Sequence, residues 1–154
     1  MRNIKRVFAC LSIILLSAGV SSAQINPRDT LHPLDTFDDV NCEDEMAHLD
    51  NFAVDIQSNP GSVGYVIVYG GRYGRRGEAM ARASRIKDYL VKSRGLDSNR
   101  VMAIDGGYRE HLAVDLWVLA RGIRVPPLTP TVQPKDVKFK RGRIKRSEYR
   151  RCEI

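Results

Sequence analysis

The stretch from Tyr65 to Glu110 constrains the fold more than any other part of the chain. An apolar run at Tyr65–Tyr69 is followed by a glycine- and arginine-rich turn at Gly70–Gly77. An amphipathic segment from Glu78 to Ser93, a second apolar run at Val101–Ile104 and a turn at Asp105–Gly107 complete it. A strand, a helix and a strand of those lengths make a βαβ unit, the smallest piece of an α/β or α+β sheet. Tyr65–Tyr69 carries β-branched or aromatic residues on both faces, which predicts an interior strand. In the helix, Ala79, Ala83, Ile86 and Leu90 share one face, and Asp88 and Lys92 stand at i, i+4. Arg94-Gly95 supplies its stop: a cation near the negative end of the dipole, then a glycine just beyond it.

The flanks extend the same sheet. Leu34–Val40 alternates weakly and predicts a short edge strand whose acids discourage sheet-to-sheet aggregation. Asn41 is placed as a helix N-cap, with Glu43, Asp44 and Glu45 in a solvated first turn. Met46, Leu49, Phe52 or Ala53, and Ile56 recur at helical spacing, and Asn59-Pro60-Gly61 ends the run. Ala113–Leu119 is a fourth strand with Val114, Leu116 and Val118 on one face, and Ala113, Asp115, Trp117 and Leu119 on the other. The expected fold is therefore α+β, in the order β-α-β-α-β-β, with helices on one mixed sheet.

A length of 154 residues predicts one domain, and its ends read differently from its middle. Arg2, Lys5 and Arg6 precede a mostly apolar stretch from Val7 to Val20, and Ser21-Ser22-Ala23 offers small residues for cleavage. Residues 1–23 thus have the layout of a secretory signal peptide, with an uncleaved anchor as the alternative. Residues 24–33 are a flexible lead-in, 34–122 the folded domain, 123–134 a stiff proline-rich connector and 135–154 a basic C-terminal segment. Removing the signal leaves Cys42 and Cys152, which in an oxidising compartment pair most simply with each other. Closing a loop of roughly 110 residues would stabilise the fold by about 4 kcal/mol in the chain-entropy model. Two separate free thiols are the alternative.

The net charge of +7 is unevenly placed: residues 135–154 hold nine Lys/Arg against Asp136, Glu148 and Glu153, a net of +6. The signal contributes +3, which leaves −2 for residues 24–134. A nearly neutral domain with a basic tail fits an anionic partner such as lipid headgroups, acidic glycan or wall polymer, and an exported chain is a poor fit to nucleic acid. After removal of the signal no transmembrane span is expected.

Arg82-Ala83, Ile86, Asp88-Tyr89-Leu90, Arg94-Gly95-Leu96 and Asn99-Arg100-Val101 resemble the second helix, glycine turn and return strand of the OmpA-like family. Those are the periplasmic domains that bind peptidoglycan at the C-terminus of outer-membrane protein A and its relatives. Gly106, Gly107 and Glu110 are similar to the glycine-containing turn after that strand. The resemblance covers about Tyr65 to Leu119 and implies the fold, a cell-envelope location and peptidoglycan as ligand. It carries Arg82 over as a contact to the wall-peptide carboxylate. The family's first loop usually holds a threonine-aspartate pair whose aspartate grips diaminopimelate; here that turn reads Gly70-Gly71-Arg72-Tyr73, without an acid. The closing strand, Ala113–Trp117, also lacks the family's arginines.

Arg72, Arg75 and Arg76 lie just before a predicted helix N-terminus, where free N–H groups and the dipole favour an anion. Arginine forks fit carboxylate or phosphate, so these three and Arg82 are the candidate ligand contacts; the alternative is a solvated turn. Tyr108 is a candidate for stacking on sugar or peptide, beside Asp105, Arg109 and Glu110, whose simplest role is pairing within the turn. No Gly-Lys-Ser/Thr follows the glycines, so the loop is not a nucleotide P-loop. His32, His48 and His111 have no metal-ligand spacing, and no serine or cysteine nucleophile sits in a recognisable motif. Neither metal nor cofactor is expected. The expected function is a non-catalytic envelope module associating with peptidoglycan or another anionic polymer. A secreted protein–protein interaction domain with an envelope protein partner is the first alternative, and a small hydrolase the weaker one.

Overall fold

The computed structural model describes residues 32–142 and 144. The expected signal peptide, most of the lead-in, most of the basic tail and Cys152 lie outside the described residues. No helix among the described residues is long and apolar enough to cross a membrane.

The fold is α+β. Four strands, β1 (Asp35–Asp38), β2 (Ser62–Gly71), β3 (Val101–Arg109) and β4 (Ala113–Ala120), form one mixed sheet in the order β1-β4-β2-β3. β2 runs parallel to β3 and antiparallel to β4, while β1 runs antiparallel to β4 at the edge. The two helices are α1 (Cys42–Ser58) and α2 (Glu78–Lys92). β2 is interior and buried along its whole length, as its two-faced apolar pattern requires.

Both helices pack on one face of the sheet. Leu49, Phe52, Ala53 and Ile56 of α1 meet Ala79, Ala83, Ile86 and Leu90 of α2 over Val66, Val68, Val114 and Leu116. Fully burying side chains such as Ile86 or Leu90 contributes about 1.5–3 kcal/mol each. The Asn41 side chain accepts from the Asp44 N–H and starts α1, and Gly95, at φ +68°, lets the chain leave α2. The other face carries Val63, Tyr65, Ile67, Tyr69, Trp117 and Leu119, all buried. Among the described residues Cys42 is disulfide-bonded, and its partner lies outside them.

Three elements depart from the sequence expectations. β3 does not turn at Asp105–Gly107 but continues to Arg109. The glycines are needed by the sheet rather than by a turn: a Cβ on Gly106 would lie 2.5 Å from the Tyr69 ring, and Gly107 takes φ +90°. Glu45 is not solvated, being only 2% exposed between the helices. The segment after β4, expected as a stiff proline-rich connector, packs on the domain. Pro126 and Val132 are buried, Tyr69 Oη accepts from the Thr129 N–H, and the Thr131 and Val132 N–H groups donate to the Tyr108 carbonyl. Farther on, the Lys138 and Lys140 N–H groups donate to the Arg72 and Gly74 carbonyls. Residues 126–140 thus form a strap over the sheet and onto the β2–α2 loop, although no strand forms at Val137–Lys140.

Candidate functional site

Because β2 and β3 are parallel, the loops after them gather at one end of the sheet. β1 ends there too, and β4 begins there. At this end lies a cleft of about 370 Å³, lined by Asp38 and Asp39 after β1, Gly71, Tyr73 and Gly74 after β2, and Glu78 at the start of α2. His111 and Leu112 before β4, and Lys140 of the strap, complete its wall. Its ionised groups are mixed: three carboxylates and one lysine ammonium. Such a lining suits a ligand that carries an ammonium group and a carboxylate together.

The predicted arginines are distributed among protein partners. Arg72 makes a two-pronged pair with Glu110, at 2.8 Å and 2.5 Å, and also reaches the Asp136 carbonyl. Hydrogen bonding from Arg72, followed by its charge, holds the Glu110 carboxyl below its ordinary pKa. Arg76 lies over the Phe139 ring, 4.2 Å from its centroid. The Arg75 backbone N–H donates to Glu78 Oε2, so the helix start is faced by its own carboxylate. Tyr108 packs edge-on against Phe139. The side chains of Arg72, Arg75, Arg76, Arg82 and Tyr108 do not line this cleft. Arg109, expected to pair within its own turn, pairs instead with Asp115 of β4 at 2.6 Å. Burial lowers the Arg109 pKa, but the hydrogen bond to Asp115 and its charge outweigh it, and the net shift is upward.

Arg82 stands directly behind the cleft. Its Nη1 is 2.7 Å from Asp39 Oδ1 and its Nη2 is 2.9 Å from Glu45 Oε2, while Arg85 reaches Glu45 Oε1 at 2.6 Å. The Arg82 side chain is 10% exposed, and its Nε is buried without a hydrogen-bond partner. Arg82 therefore orients Asp39 at the cleft wall, while Glu45 fixes the guanidinium from beneath. The sequence reading missed Asp38, Asp39, Glu78, His111 and Lys140 as cleft residues. The available signal was the Asp38-Asp39 pair closing the first strand, since a strand antiparallel to β4 ends where the β2–α2 loop begins. Among the described residues no group of three or more His, Cys, Asp or Glu is placed to hold a metal. No family model, curated protein or solved structure matches the chain.

Proposed function

We propose that this domain is a divergent OmpA-like module of the cell envelope that binds the peptide stems of peptidoglycan without catalysis. The observation that carries the reading is the mixed-charge cleft: Asp38, Asp39 and Glu78 suit an ammonium group, and Lys140 suits a carboxylate. The free amino-acid centre of a diaminopimelate side chain presents both. The strand-helix-strand-helix-strand-strand order agrees with the resemblance. The carried-over Arg82 reaches this cleft through Asp39, which it holds at 2.7 Å. The signal-peptide layout and the disulfide at Cys42 support export to an oxidising compartment.

The test is cosedimentation of the protein with purified peptidoglycan at low and moderate salt, for the native chain, Asp39→Asn and Lys140→Ala. The native chain is expected to pellet, less so at higher salt. Losing a charge-assisted contact is expected to weaken each variant by about tenfold or more. Native protein left in the supernatant at both salts, or variants that pellet like it, would overturn the reading. Release of soluble wall fragments would replace it with a hydrolase.

A further inference from the structure

The turn after β4 and the start of the strap also present side chains to solvent. Between the end of β4 and Thr129, Ile123, Val125 and Leu128 are 49%, 50% and 47% exposed. Two arginines, Arg121 and Arg124, are interleaved with them; both are exposed and make no ion pair among the described residues. Residues 121–142 hold six Lys/Arg against the single acid Asp136, a net of +5.

These side chains stand on a braced backbone. The Arg121 N–H donates to the Gly61 carbonyl and the Ile123 N–H to the Ala120 carbonyl, which closes the turn after β4. Beyond it, Pro126 is buried, and Thr129 is held by Tyr69 and by Arg109 Nη2 at 2.7 Å. A braced segment that alternates half-exposed aliphatic side chains with guanidinium groups unpaired among the described residues matches the boundary between lipid headgroups and acyl chains. Arginines there meet phosphates while short apolar side chains sink below them. A protein interface of ordinary composition would put aromatic side chains at its centre, and the exposed apolar residues of 121–128 are all aliphatic.

We infer that the outer face of residues 121–128 docks on an anionic lipid surface, with Ile123, Val125 and Leu128 inserted and Arg121 and Arg124 on the phosphates. This surface is separate from the mixed-charge cleft and does not depend on wall binding. The contact is peripheral, since three aliphatic side chains and a few cations give reversible attachment only. The basic side chains of Lys135, Lys138 and Arg141 follow farther along the chain and extend the favourable field.

The test is cosedimentation of the full chain with vesicles of phosphatidylcholine alone and with phosphatidylglycerol added. The native protein is compared with Ile123→Asp/Val125→Asp and with Arg121→Ala/Arg124→Ala. Any contribution from the apolar N-terminal stretch is common to all three forms and drops out of the comparison. All four positions are exposed, and a thermal melt of each variant checks that folding is unchanged. Removing each arginine is expected to weaken binding to the anionic vesicles by about fivefold, and the two aspartates are expected to abolish the share of residues 121–128. Native protein and both variants sedimenting alike would overturn the inference, as would equal native binding to both vesicle types. Binding to peptidoglycan with none to vesicles would also overturn it, leaving the wall reading intact.

Discussion

Replacing Glu45 by alanine tests the central electrostatic feature of the domain. Glu45 is 2% exposed and accepts from Arg82 at 2.9 Å and from Arg85 at 2.6 Å, joining α1 to α2. Removing one partner of a buried pair costs about 3–5 kcal/mol, because the remaining charge is left without compensation. Here Arg82 keeps Asp39 at 2.7 Å, whereas Arg85 is 13% exposed and Glu45 is its partner, so the expected loss lies near the lower bound, about 3 kcal/mol. For a domain of this size each kcal/mol moves Tm by about 4 °C, so Glu45→Ala should melt about 12 °C lower. Urea unfolding of Glu45→Ala, Arg85→Ala and the double variant measures the coupling, which should exceed about 1 kcal/mol for groups in direct contact. A loss below about 1 kcal/mol for Glu45→Ala, or strict additivity in the double variant, would refute the reasoning.

Gly106→Val places a side chain where a Cβ alone meets the Tyr69 ring at 2.5 Å; it should destabilise by about 1–3 kcal/mol in a urea titration. Tyr69→Phe removes the hydroxyl that meets the Thr129 N–H at 3.2 Å; a loss of about 1 kcal/mol is expected, with faster hydrogen exchange at Val132. Arg72 holds the Glu110 carboxyl below its ordinary value of 4.5. Their pair therefore stabilises the fold above the unfolded-state pKa, and that contribution fades as pH falls through the lower folded-state pKa. A carboxyl NMR titration should show the Glu110 midpoint moving upward in Arg72→Ala; an unmoved midpoint would show that Arg72 is not the cause.

Periodicity made the core legible. The helical spacing of Leu49, Phe52 and Ile56, and of Ala79, Ala83, Ile86 and Leu90, marks the residues that are buried between helices and sheet. The strict alternation in Ala113–Leu119 likewise assigns its two faces correctly. What was not legible depends on partners distant in sequence. Glu45 looks like an ordinary first-turn acid until α2 brings Arg82 and Arg85 against it. Gly106-Gly107 carries a turn signature, yet it is the Tyr69 ring on β2 that excludes a side chain. Prolines in 126–134 signal an extended chain but not where it lies, and its position is set by single hydrogen bonds to Tyr69 and Tyr108. The candidate site suffered most, because local clustering of arginines in one loop says nothing about Glu110 or Phe139, which engage Arg72 and Arg76 from other elements.

The place of β4 in the sheet bears on how this chain comes into being. β4, the last to be synthesised among the described strands, is inserted between the first two, pairing Phe37 with Val114 on one side and Val66 with Leu116 on the other. A nascent chain that stops at Arg109 can form the parallel β2–β3 pair, but β1 has no neighbour and one edge of the apolar β2 stands open. Most of the sheet's non-local pairing is thereby postponed until the final strand arrives, which slows folding through the entropy of closing long loops. Up to Arg109 the sheet stays open, and it closes only when β4 slides into the gap left for it.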